Sequence, residues 1–326
     1  MNVLPGRIEF IDISKTIAIA IVVLGHAIVQ GTVGPNRGII FDVIYSFHMP
    51  LFFVISGYIY EKNGKKVSMG ILASMLWRFV VVSLVWHTFY TLVFKTPASL
   101  FNDPISFYVN YLLYPDSPWF LMVFFGATLL YLVSKMVSRN YKWYFFCTLF
   151  FCVVYLLIKK QNFPILDFAL LTRSLYYSIF IFMGSMLFLF RDYLLAKKIM
   201  YIYVLSFLCL FLVRDLGGYY SQFCIDLILA ALGSIVVVIT SVYISEFFCV
   251  NCFFLWIGSR TLHIYLLNGL FYSVGVFDGV LRIVSCFVAN VLLSVAVVAL
   301  FEKIAKRNKC VDCMYMIFFG KRVGLV

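Results

Sequence analysis

The sequence predicts an all-α, polytopic membrane bundle of about ten transmembrane helices with both termini in the cytoplasm. Three observations lead there. Of 326 residues, 64% are hydrophobic and only 12% charged, with a mean hydropathy of +1.01; soluble domains carry about 25% charge. The apolar residues fall in runs close to the ~20 needed to cross a bilayer core. Lys and Arg are distributed unequally between alternate connections, as membrane orientation requires. Soluble enzymes, collagens, disordered chains and small disulfide scaffolds are thereby excluded.

Taken in order, the spans lie near 13–33, 43–60, 68–94, 118–138, 141–158, 174–190, 198–213, 222–246, 253–275 and 280–301. The first lacks a small-residue cleavage site and is long enough to cross, so it reads as a signal anchor. The third is long enough to include a re-entrant or interfacial piece. The connection from Lys95 to Pro118 carries Pro97, Pro104 and Pro115 and is expected to be a structured external loop. Residues 1–302 form the transmembrane domain. Residues 303–326 are expected to be a short basic cytoplasmic tail, whose apolar patch at Met314 to Phe319 suits the inner membrane surface.

The formal charge is +12, from 26 Lys and Arg against 14 Asp and Glu. With the N-terminus inside, sixteen of these cations are cytoplasmic and seven external, while Lys15, Arg78 and Arg260 sit within or at the edges of spans. Topology therefore accounts for the basic excess, and no nucleic-acid partner is expected. Nine cysteines, an odd count scattered through apolar runs, do not make a disulfide framework. Cys249–Cys252 and Cys310–Cys313 have zinc-like spacing, but the first pair is flanked by phenylalanines. Reduced thiols and no metal are the expectation.

All four histidines, His26, His48, His87 and His263, fall in or at the ends of spans, where ionisable groups are costly and tend to face a cavity. In the first span Lys15 and His26 are eleven residues apart, only ~20° past three helical turns and ~16 Å along the axis. Asp12, Lys15, Ile19, Val22, His26 and Gln30 form one i+3/i+4 stripe, a polar seam from the cytoplasmic surface past the midplane. Lys15 is able to snorkel to the interface, whereas His26 is too deep. In the second span Pro50 suits a first helical turn, which puts His48 just before the helix near its outer end. Backbone donors there would hold the imidazole neutral, as a general base requires. His26 and His48 are then expected to converge in the outer half of the membrane. His87 has no second motif residue beside it, and Asp226 needs a cationic partner. Ser56, before Gly57, reads as a helix-packing residue.

Lys15-x10-His26, followed by Phe-His-Met-Pro-Leu-Phe-Phe-x-Ile-Ser-Gly-Tyr at 47–58, resembles the acyltransferase-3 family of integral membrane O-acyltransferases, which includes polysaccharide O-acetyltransferases and fucose 4-O-acetylase-like proteins. Pro118-Trp119-Phe120-Leu121 and Ile257-Gly258-Ser259-Arg260-Thr261-Leu262-His263-Ile264-Tyr265-Leu266-Leu267 are further echoes. The resemblance implies an acyl-coenzyme A donor, probed first as acetyl-CoA, and an acceptor hydroxyl on a cell-surface glycan or lipid-linked glycan, at the cell membrane. No permanently bound cofactor is implied. Lys15, His26 and His48 match the family's basic residue and two histidines. The chain departs from the pattern at Asn268, where many relatives carry histidine, and in having Arg78 alone where they often have two arginines.

Acyl transfer to an alcohol needs a base for the hydroxyl proton and a stabiliser for the oxyanion. His26 is the expected base, with His48 its partner or the oxyanion donor. Lys15, Arg78 and Arg260 are candidates for the donor's phosphates. Asp12, Gln30, His263, Tyr265 and Asn268 are candidates for the cavity wall. The competing reading is a transporter or flippase in which the polar seam conducts substrate or protons.

Overall fold

The computed structural model describes residues 8–32, 37–64, 68–94, 98–160, 168–214, 219–247, 252–271 and 279–323. Among these there is no strand, and eight helices are long and apolar enough to cross a membrane. With water absent from a bilayer core, each backbone N–H must find its carbonyl within its own segment, and a helix provides this. The chain is a multi-pass all-α membrane protein.

Seven of the long helices are α1 Glu9–Gly31, α2 Ile39–Asn63, α7 Trp119–Val137, α8 Tyr141–Lys160, α9 Ala169–Leu189, α12 Tyr219–Phe247 and α15 Gly279–Ala305. The eighth is continuous over Met69–Phe94 but has a π turn, Leu76–Val81, between α3 Met69–Met75 and α4 Val82–Phe94. The loop after α4 is structured as expected: it holds α5 Ala98–Asn102 and α6 Pro104–Leu113, the latter capped by Asp103 with Pro104 in its first turn. A short α10, Arg191–Leu194, follows α9.

Two expected spans are not single long helices. α11, Met200–Leu212, has 13 residues, about 20 Å of helix against a ~30 Å core. The ninth is broken into α13 Cys252–Ser259 and α14 Thr261–Asn268. Arg260 sits at the break with φ −120° and ψ 20°, outside helical geometry.

The chain divides into two compact units. The first comprises residues 1–55 and 190–299, the second 56–189 and 300–326. In the first, α1 packs on α12, α13 and α14, and α11 packs on α12. Small residues set these approaches. A Cβ on Gly258 would stand 2.1 Å from the Asp12 carbonyl oxygen, and one on Gly233 2.5 Å from the Phe47 ring. In the second, α9 packs on α7 and α8, and the C-terminal helix α16, Lys309–Phe319, lies on α4. α16 is held by hydrogen bonds from Tyr315 Oη to Glu302 (3.0 Å) and from Trp86 Nε1 to the Phe318 carbonyl (2.7 Å). The apolar patch at 314–319 therefore buries Tyr315 and Phe319 against protein, beyond any lipid-facing role.

Lys135, one of the cations counted on the cytoplasmic side, is buried. Its Nζ lies 2.9 Å from Glu61 Oε2 and 3.1 Å from the Tyr60 carbonyl. The same carboxylate oxygen accepts from Tyr131 (3.1 Å) and Tyr144 (2.9 Å), so α2, α7 and α8 share one polar knot.

Candidate active site

Every site residue proposed from sequence except Arg78 belongs to the first unit. α1 supplies the seam as the period predicts: Asp12, Ile19 and Val22 are buried, while Lys15 and His26 are half-buried on the same stripe. Lys15 Nζ is 3.7 Å from Asp12 Oδ1, one turn back. α13 is pinned beside this pair, for Thr16 Oγ1 lies 2.9 Å from the Asp12 carbonyl and 2.7 Å from that of Phe254. Gly258, without a side chain, completes the contact. Two residues on, the Arg260 guanidinium stacks over Trp256 at 4.6 Å and its Nη1 bonds Ser259 Oγ.

At the other end of α1, Gly25 lets α2 approach so closely that a Cβ would stand 3.0 Å from the Tyr45 ring. That contact brings the turn of α1 that carries His26 against the stretch of α2 that carries His48. His48 is buried, and its Nδ1 bonds the Ile44 carbonyl at 2.9 Å. A carbonyl only accepts, so Nδ1 carries the proton and the neutral ring presents Nε2 as an acceptor. Tyr45 packs on the ring at 4.5 Å.

The reason expected for this neutrality was wrong. Pro50 lies inside α2, not at its first turn, and His48 is its tenth residue, far from any helix N-terminus. Membrane helices tolerate interior proline because neighbouring helices and local backbone adjustments re-satisfy the carbonyl it frees. The Ile44 carbonyl, not a helix-end dipole, fixes the tautomer.

α14 packs on α1 and brings the remaining candidates with it. His263 and Asn268 are buried and Tyr265 is half-buried. The Asn268 carbonyl accepts from Asn290 Nδ2 at 3.0 Å, tying the end of α14 to α15. Gln30, in the last turn of α1, is exposed, so the seam is open at that end.

Arg78 belongs to the second unit, in the π turn, a geometry that recurs at functional sites. Its Nε is buried and makes no hydrogen bond among the described residues, and the Gly320 backbone packs on its stem. In the first unit Asp226 has the partner it needed, Arg214 at 2.7 Å. Of the two C-x2-C pairs, Cys310 and Cys313 are exposed on α16, whereas Cys249 lies outside the described residues.

Sequence reasoning missed the partner of His87. Its Nδ1 lies 3.2 Å from Asp116 Oδ1 and 3.1 Å from the Ser117 carbonyl, and its ring stacks on Tyr111 at 3.8 Å. The available signal was Asp116 itself, a carboxylate between two prolines just ahead of Trp119.

Residues 8–299 match the family described as an acyltransferase domain. The chain belongs to this acyltransferase-3 family. No curated protein and no solved structure matches it. The match begins at α1 and ends inside α15, so it takes in the Lys15–His26 seam, His48 and the Arg260 break, and leaves out α16. The protein is a membrane acyltransferase.

Proposed function

We propose that this acyltransferase moves an acetyl group from acetyl-CoA to a hydroxyl of a cell-surface polysaccharide or its lipid-linked precursor, at the plasma membrane. The observation that carries the reading is the imidazole pair. His26 follows directly on the Gly25 contact with α2, and α2 carries His48, whose Nδ1–H is committed to a backbone carbonyl. A base oriented by a second group is the arrangement hydroxyl activation requires.

In the proposed step the acceptor oxygen attacks the thioester carbonyl while His26 takes its proton. His48 Nε2 accepts from the other nitrogen of His26 and stabilises the charge. Collapse of the tetrahedral adduct expels the coenzyme A sulfur, which recovers the proton from His26, leaving ester and free thiol. The fixed tautomer favours this partner role over oxyanion donation, which would need a second proton on His48. Lys15 and Arg260, with the Asp12 pair and the Trp256 stack holding their stems, bind donor phosphates. The charge bias places both termini in the cytoplasm with the donor.

The test uses membranes containing wild type or His26→Ala, supplied with labelled acetyl-CoA in a strain carrying its native polysaccharide. Removing a general base should lower label incorporation by about 10²–10⁴-fold at equal protein level. Equal incorporation by both proteins would reject His26 as the base. Failure of the wild type with acetyl and with longer acyl donors would reject the transfer reading.

A further inference from the structure

The second unit contains two cavities that the chemistry above leaves unused. One, of about 900 Å³, is walled by Trp119, Tyr155, Tyr176 and Tyr177. The other, of about 720 Å³, is lined by His87 and by the polar side chains of Asn102, Asp103, Ser106 and Asn110. They share Tyr114 and Asp116. Both fall in the size range of ligand sites, ~300–1,000 Å³. They lie where α4 ends, α7 begins, α8 ends and α9 begins, the helix ends opposite those that meet at Lys135 and Glu61. On the charge-derived topology that end is external.

We infer that these adjoining cavities bind carbohydrate, with sugar rings lying against the aromatic wall and sugar hydroxyls bonding the His87–Asp116 pair. The inference rests on the proposed glycan acceptor and names the place that receives it.

The wall is rigid. Trp119 packs on Tyr177 at 5.8 Å, Tyr177 on Tyr176 at 5.1 Å, and Tyr176 on Tyr155 at 5.4 Å. Arg173 lines the same cavity, over Trp119 at 5.2 Å and bonded to the Pro115 carbonyl at 3.1 Å. Flat aromatic faces beside a dense set of hydroxyl, amide and carboxylate groups suit a ligand with apolar C–H faces and an equatorial ring of hydroxyls. That is a sugar. Asp116 stands at the junction; its Oδ1 accepts from Ser117 N at 2.7 Å and sits against His87 Nδ1. With Nδ1 so engaged, Nε2 is the ring nitrogen left for a sugar hydroxyl. Asp116 and Asp103 make the junction and the floor of the smaller cavity acidic, while Lys159 and Arg173 line the larger one.

The experiment uses purified wild type, Tyr155→Ala and Asp116→Asn, with oligosaccharides released from the producing cell's surface polysaccharide and, separately, acetyl-CoA. Saturation-transfer NMR reads binding, and transfer kinetics read KM against kcat. Wild type should bind the oligosaccharides. Each variant should raise the oligosaccharide Kd and KM about tenfold, the loss of one stacked face or one charged hydrogen bond, with acetyl-CoA binding and kcat unchanged. Unaltered oligosaccharide affinity in both variants, equal loss of acetyl-CoA affinity, or no oligosaccharide binding by wild type would each overturn the cleft. Binding by wild type without acyl transfer would retain the cleft and reject the proposed reaction. Transfer with unaltered acceptor KM in the variants would do the reverse.

Discussion

Gly258→Ala is the smallest change that should disturb the seam without touching any of its polar groups. The added Cβ would stand 2.1 Å from the Asp12 carbonyl oxygen, 2.8 Å from its carbon and 2.9 Å from Thr16 Oγ1. Ordinary contact to such atoms begins beyond 3 Å, so α13 must move off α1 by about 1 Å. Overpacking of that kind costs about 1–3 kcal/mol. The geometric penalty is larger, since a 1 Å misplacement in a reacting site is able to cost ~10²-fold in rate. Thr16 would lose its bond to the Phe254 carbonyl, and Arg260 would shift with its helix relative to Lys15. Purified protein in detergent should therefore show kcat/KM for acetyl-CoA reduced by about 10–100-fold, with a modestly lower melting temperature. Gly70→Ala is the control: the nearest atom to its Cβ is 4.0 Å away, and the change should leave transfer unaltered. Wild-type transfer by Gly258→Ala would refute the argument that this helix contact positions the basic groups. Loss of stability with kcat/KM unchanged would refute it equally.

Two further outcomes follow from the second unit. Lys135→Met strands the Glu61 carboxylate with only its two phenol donors, and breaking a buried pair this way costs about 3–5 kcal/mol; the surviving phenols place it at the lower end. Glu61→Gln/Lys135→Met, in which no charge is stranded, should recover most of the loss in a detergent thermal melt, and equal melting of single and double variants would contradict the pairing. Asp103 caps α6, and the hydrogen bonds it accepts from the Ser106 side chain and backbone hold its carboxyl below the usual aspartate range. Its folded value is depressed, so the cap's contribution is present above the unfolded value of about 3.9 and lost as pH falls through the folded one. Amide exchange at the start of α6 should accelerate below about pH 4 in wild type and show no such step in Asp103→Asn.

Much of the fold was legible because hydrophobic run length is a direct consequence of bilayer thickness. Eight runs became spanning helices within a few residues of their expected bounds. The break in the ninth had only a weak signal, the Gly258-Ser259 pair just before Arg260; the close packing of Gly258 on Asp12 shows a second use for that glycine. Pro50 misled because the first-turn rule is learned from helices whose ends meet water. Charge counting assigns Lys135 a side but no partner, and only the fold reveals Glu61, 74 residues away, as the group it pairs with. The Lys15–His26 seam was readable from helical period alone. The His87–Asp116 pair was not, since its members are joined by a loop rather than by a period.

The packing of Gly320 on Arg78 has a consequence for synthesis. These residues are 242 positions apart, and at ~5–20 residues per second the arginine precedes its cover by about 12–48 s. During that interval the span carrying it must be retained by the insertion machinery with a guanidinium whose insertion alone costs ~2.5–3.5 kcal/mol. Residues around Gly320 thus act last on a group made early. Truncations that remove them should be read first as failures of biogenesis, in the level of protein inserted, and only then as losses of catalysis.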